Sequence, residues 1–118
     1  MRLSAEQCSS TATGLYKSAL AERIAARKQF TLADLTGGLG VDSWFFSKKA
    51  GRVLYNEMQK PLCEAAEHNF KALGIDNVII SNNIASSETI GAILEGFDPD
   101  IIYMDPARRG EGGRKVFL

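Results

Sequence analysis

Two carboxylates and a knot of glycines carry the first chemical signal in this 118-residue chain. In "FTLADLTGGLGVDSWFF", Phe30 to Phe46, an apolar run ends in Asp34, and Gly37, Gly38 and Gly40 follow closely. The next apolar run, "RVLYNE", ends in Glu57. Glycine lets the backbone take positive φ and lets a ligand approach without meeting a Cβ, so the loop reads as a binding loop. The dinucleotide fingerprint G-x-G-x-x-G fails here, because from Gly38 and Gly40 its third glycine falls on Ser43. The G-x-x-x-x-G-K-[ST] phosphate loop fails as well, since no lysine follows in that arrangement. Asp34, directly before the glycines, would repel a pyrophosphate but suits an ammonium group. Glu57, at the end of the next strand, is placed to accept hydrogen bonds from two ribose hydroxyls.

Positioning these groups requires an alternation of strands and helices. "SSTATGLYKSALAERIAARK" reads as a leading helix capped by Ser9 or Ser10, with Ala12, Tyr16, Ala19, Leu20 and Ile24 on its apolar face. Gly14 weakens it by ~1 kcal/mol relative to alanine, so a loose first turn is expected. "FTLAD" is the first strand, and "VDSWFFSKKA" a helix with Trp44, Phe45 and Phe46 as core and Gly51 as its stop. "RVLYN" is the second strand. "KPLCEAAEHNFKALG" is a helix with Pro61 in its first turn and Gly74 as its end. "NVIIS", a short helix in "SSETIGAILEG" capped by Ser86 or Ser87, and "DIIYMD" complete the series. Strands that are continuous apolar runs, separated by helices, mark a parallel sheet covered on both faces. The expected fold is an α/β, Rossmann-like doubly wound parallel sheet with strand order 3-2-1-4. In such a sheet ligands lie outside the carboxyl ends of the strands, where Asp34 and Glu57 both fall.

Composition bounds the rest. Lysine plus arginine and aspartate plus glutamate each number 14, so the chain has no net charge. That excludes a chain-wide basic surface but not a local patch. Cys8 and Cys63 lack CxxC spacing and read as free thiols of a reducing cytosol. No apolar run approaches the ~20 residues of a bilayer span, and "MRLSAEQCSS" lacks the apolar core of a signal peptide, so a cytoplasmic protein without membrane contact is expected. No metal-ligand cluster stands out, and His68 reads as an ordinary helix residue.

An adenosine carrying a cationic amino-acid tail fits both carboxylates, and that ligand is S-adenosylmethionine. "DLTGGLG", the "NE" after the second strand and "FDPDIIYMDPARR" at the fourth together resemble class I S-adenosylmethionine-dependent methyltransferases, over essentially the whole chain. With "EQCSS" and "YK" ahead of the loop, the chain is similar to bacterial RNA-type methyltransferases that carry a THUMP-like region. The resemblance implies that Asp34 reaches the methionine amino group through the loop, directly or by water. Thr36, Gly38 and Gly40 would line the cofactor's close approach, with Glu57 on the ribose and Met58 on the adenine face. Ser10 and Thr11, at a helix start, would meet the methionine carboxylate. Asn83, or the backbone at Ile84 and Ala85, would replace the family's usual aspartate after the third strand. "DPARR" resembles the "DPP(Y/F)" or "NPPY" loop of amino-methylating enzymes, making Asp105 and Pro106 the acceptor-side residues. It departs from that loop at Ala107 and Arg108. Arg108 and Arg109 would contact phosphates of a nucleic acid, most simply RNA. Residues 1–29 would be the leading helix and 30–118 the cofactor-binding half. The family ordinarily has about three further strands, so a domain cut after the fourth strand is expected. Its exposed edge would invite a homodimer.

Overall fold

A computed structural model describes residues 11–26 and 29–105. They run as α1 (Thr11–Ala25), β1 (Thr31–Asp34), α2 (Val41–Ser47), β2 (Arg52–Asn56), α3 (Lys60–Ala72), β3 (Val78–Ser81), α4 (Ile90–Ile93) and β4 (Ile101–Tyr103). The strands form one sheet in the order β3-β2-β1-β4, and every pairing is parallel. This is the Rossmann-like order expected from the sequence. Asp34 pairs in register with Tyr55 on one side and Tyr103 on the other. The carboxyl ends of the three strands are therefore level, and the loops that follow them rise side by side.

Strand alternation sorts the core into two layers. Leu32, Val53 and Ile101 pack with Phe30, Phe46, Ala50 and Ala21 beneath α1 and α2. Tyr55 continues that layer against Cys63, Ala66 and Phe70 of α3. On the opposite face Ala33, Leu35 and Leu54 pack with Phe97 and the partly buried Ile90, Ile93 and Leu94 around α4. Three helices cover one face and a single turn covers the other, so Ile79 of β3 remains 40 % exposed. The central strands β1 and β2 are almost wholly buried while β3 and β4 are half-buried, as edge strands are.

Four local expectations change. The buried face of α1 is Gly14, Ser18 and Ala21, not the stripe through Tyr16 and Ile24, which are exposed. Gly14 is no weak point: a Cβ there would lie 2.2 Å from the Phe45 ring, so its lack of a side chain lets α1 lie directly on α2. Small residues win that face because the close approach, not their own hydrophobicity, is what the packing selects. Gly51 likewise does not end α2 in a left-handed turn. Its N–H bonds the Phe30 carbonyl at 2.8 Å, and a Cβ would come within 2.9 Å of the Gln29 carbonyl oxygen. Thr89, not a serine, holds the N-cap position of α4 and makes no side-chain cap bond; its hydroxyl accepts the Ser86 N–H at 2.9 Å, and the Ser86 carbonyl accepts the Ile90 N–H at 2.9 Å. The expectations for α3 hold: Pro61 sits in the first turn and Gly74 leaves the helix at φ 73°. Cys63 is a buried free thiol, and Phe45 and Phe46 are core.

Candidate functional site

The loop after β1 is built around buried polar groups. Asp34 is fully buried, and its two carboxylate oxygens accept from the Ser43 hydroxyl at 2.8 Å and the Thr36 N–H at 3.2 Å. One side chain thus ties the strand end, the loop and the first turn of α2. Gly37 needs to be glycine for space: a Cβ would stand 2.3 Å from the Tyr55 ring. Gly38 and Gly40 need to be glycine for conformation, with φ of 59° and 88°. The Tyr55 hydroxyl donates to the Gly38 carbonyl at 2.6 Å, so the ring that packs under Gly37 also anchors the next residue.

Glu57 closes the loop from the neighbouring strand. It is 7 % exposed, and its Oε1 accepts the Gly38 N–H at 2.8 Å while Oε2 accepts the Gln59 N–H at 2.9 Å. A carboxylate has about four acceptor positions, so two such bonds leave capacity for hydroxyl donors. The Asn82 amide donates to the carbonyls of Glu57 and Met58, at 2.8 and 3.2 Å, which fixes the turn after β2. The Cys63 thiol donates to the Glu57 carbonyl at 3.2 Å; burial and the Glu57 charge push its pKa up, keeping it neutral.

Leu35, Thr36, Glu57, Met58, Gln59, Asn83 and Ala85 line one recess across the ends of β1, β2 and β3. Four of the expected site residues, Thr36, Glu57, Met58 and Asn83, meet there. Its interior holds about 20 Å³, room for roughly one water. A nucleoside would therefore lie across its open mouth. Met58 is 44 % exposed and offers an apolar surface to a flat base. The donor set suits such a ligand: a buried carboxylate for hydroxyls, an amide and backbone for a base edge, and apolar Leu35, Met58 and Ala85 for a ring face.

Asp105 stands at the end of β4, and its N–H donates to the Thr36 hydroxyl at 2.7 Å. The same threonine that lines the recess therefore holds the loop expected to face the acceptor. Beside it the Tyr103 hydroxyl donates to buried Asp42 at 3.0 Å and accepts from Lys17 at 2.9 Å, with Lys17 3.5 Å from Asp42. Burial first, and the negative charge of Asp42 and Asp34 next, raise the Tyr103 pKa, so the phenol stays protonated. This cluster joins α1, α2 and β4, and nothing in the sequence reading singled it out.

Thr11 begins α1, is exposed, and is not among the residues that line the recess. Ser10, Pro106, Arg108 and Arg109 lie outside the described residues. Among the described residues no three or more histidine, cysteine, aspartate or glutamate side chains are grouped to hold a metal. No helix among them is long and apolar enough to cross a membrane. Asn56 and Asn82 were missed. The available signal was an amide closing an otherwise apolar strand and another opening the next loop.

No family model matches the chain. It is 33 % identical over 96 residues to an uncharacterized RNA methyltransferase of Oceanobacillus iheyensis, a match covering 81 % of this chain and 21 % of the relative. It is also 33 % identical over 91 residues to a tRNA/tmRNA (uracil-C5)-methyltransferase of Salmonella newport, covering 67 % and 25 % respectively. Among solved structures, a protein of Porphyromonas gingivalis W83 assigned provisionally as a methyltransferase superposes with a TM-score of 0.71 at 36 % identity. That match covers 92 % of this chain and 26 % of the other. The chain spans about a fifth to a quarter of the length of the curated relatives it matches.

Proposed function

We propose that this chain is the cofactor-binding part of an S-adenosylmethionine-dependent methyltransferase which, in a longer cytoplasmic protein, methylates RNA. The observation that carries the reading is the recess at the ends of β1, β2 and β3, where the buried Glu57 carboxylate adjoins the exposed Met58 side chain. The RNA methyltransferase names of the relatives support the acceptor class. A THUMP-like region elsewhere in the longer protein is part of the same proposal.

In this reading Glu57 accepts the ribose hydroxyls while keeping its two backbone bonds. Met58 lies on one face of the adenine and Asn83 meets its edge. Asp34, enclosed by Ser43 and Thr36, acts through the loop: it sets the backbone of Thr36, Gly38 and Gly40 against the methionine end. Ser10 and Thr11 take the methionine carboxylate. Bound cofactor supplies a methyl group on a sulfonium, an electrophile that needs no further activation by the protein. The protein's share is therefore orientation. Asp105 and Pro106 hold the acceptor in line, Asp105 being fixed through its N–H to Thr36. Arg108 and Arg109 meet the phosphates. Pairing of two copies along the side of β4 that no strand occupies among the described residues belongs to the proposal, and a strictly monomeric elution at high concentration would remove it.

Calorimetric titration with S-adenosylhomocysteine and with NAD tests the central reading. Binding of S-adenosylhomocysteine without NAD is expected. Binding of NAD alone, or of neither, overturns it.

A further inference from the structure

Asn56 is fully buried at the last position of β2, and its amide reaches the loops after β1 and β3 and the last residue of β3. Nδ2 donates to the Asn83 carbonyl at 3.0 Å and toward the Leu35 carbonyl at 3.4 Å, while Oδ1 accepts the Ser81 hydroxyl at 2.8 Å. Ser81 in turn accepts from the Asn83 amide at 2.8 Å. Two of the three partners are carbonyls, which can only accept, so the orientation of the amide is dictated by its surroundings. The Asn56 carbonyl also accepts the Gly37 N–H at 2.8 Å. Leu35 and Asn83, which Asn56 joins, follow the strands on either side of β2, and both line the recess. A buried amide is costly unless its donors and acceptor are met. Here they are met by Leu35 and Asn83, which line the recess, and by Ser81, which accepts from the Asn83 amide.

We propose that Asn56 is the positioning residue for the base-facing side of the recess: it sets the spacing between Leu35 and Asn83 and the direction in which Asn83 presents its amide. The inference rests on the reading that the recess takes the adenosine of the cofactor. Asn56 itself does not touch the ligand. It fixes the distance across which a planar base fits, and so governs affinity for the nucleoside part.

N56D is the informative variant because it preserves shape and reverses one set of dipoles. An ionised carboxylate at position 56 would face two carbonyl oxygens, whereas a neutral carboxyl can donate to one of them. The titratable groups at this end of the sheet are Glu57, Asp34 and Asp105, with Tyr103 on β4 and Cys63 on α3 held neutral. The wild-type profile carries their contribution and serves as the baseline. S-adenosylhomocysteine affinity is measured on the full chain by calorimetry at pH 8.0 and 5.5, with the folded fraction followed by circular dichroism. N56D should bind about tenfold more weakly than wild type at pH 8.0 and come within about threefold at pH 5.5. A residue that only held the strands together would shift the melting temperature with pH but leave the affinity of the folded protein unchanged. Unchanged affinity, or an equal loss at both pH values, overturns the proposal. Should N56D be unfolded at pH 8.0, S81A decides: a loss of about threefold supports the proposal and wild-type affinity overturns it. A wild-type chain that binds no S-adenosylhomocysteine overturns the cofactor reading and this inference together, while intact wild-type binding with unchanged N56D overturns this inference alone.

Discussion

At the carboxyl ends of β1, β2 and β3 buried polar side chains tie the loops to one another, whereas at the end of β4 the bonds run to α1 and α2 through Tyr103 and to the β1 loop through Asp105. Asp34, Tyr55, Asn56 and Glu57 are all buried, and each bonds to the loop of another strand or to the helix that follows. The end of β4 is half-buried, and Asp105 joins the rest through its bond to Thr36. The two regions sit side by side on one sheet edge and differ in how much of their geometry is fixed in advance. In the proposed reading the first region holds the cofactor, and such rigidity lowers the cost of ordering it. In the same reading, the end of β4 faces the acceptor.

The sharpest way to break the locked region is Glu57→Ala. It strips the buried Gly38 N–H and the part-buried Gln59 N–H of their acceptor, at a cost of about 2 kcal/mol in stability. S-adenosylhomocysteine affinity should fall about a hundredfold, read by calorimetry beside a denaturant titration. Next come two glycines that test close approach in different places. Gly37→Ala drives a methyl into the buried Tyr55 ring, and Gly14→Ala drives one into Phe45; each should lose about 1–3 kcal/mol on urea unfolding. Gly14 is the more telling, because in an open helix the same change would gain ~1 kcal/mol. Thr36→Val removes one bond between the two regions and leaves the Leu35 N–H on the Tyr103 carbonyl. It should cost about 1 kcal/mol and leave S-adenosylhomocysteine affinity within about threefold, marking the β4 loop as separable from the cofactor side. A large loss of affinity would show that the regions are one unit.

The smallest effect is alkaline. The pKa of Cys63 is raised in the folded chain by burial and Glu57, and that of Tyr103 by burial and Asp42. A folded state that holds its protons more tightly than the unfolded one loses stability as pH rises. Stability from these groups should be intact below pH 9.0, the ordinary thiol value, and decline above it. Cys63→Ser should flatten the first part of that decline in melting curves taken across the range.

Strand order, the helix of the Pro61–Gly74 segment and the buried aromatics were legible because each rests on local pattern: apolar runs, turn residues and spacing. The face of α1 was not, since hydrophobicity marked Tyr16 and Ile24 while the packing selected the residues without bulk. The choice depends on Phe45, which lies on another helix, and no window along α1 contains it. The site divides in the same way. Asp34 and Glu57 were visible as carboxylates closing apolar runs. That Asp34 would be enclosed, and Asn56 would become the shared partner of two loops and the end of β3, depends on register between strands distant in sequence.

Parallel pairing throughout the sheet also dictates an order of events during synthesis. β1 lies at the centre, yet it is made before both neighbours, and β4 pairs with it only after the intervening helices and strands exist. Thr36 waits 69 residues for Asp105. A ribosome adding ~5–20 residues per second leaves the glycine loop and the apolar flank of β1 without their final partners for several seconds. During that interval α2, β2 and α3 are the available cover, so the half of the sheet bearing Glu57 can assemble first. The β4 side then docks onto a partly formed template.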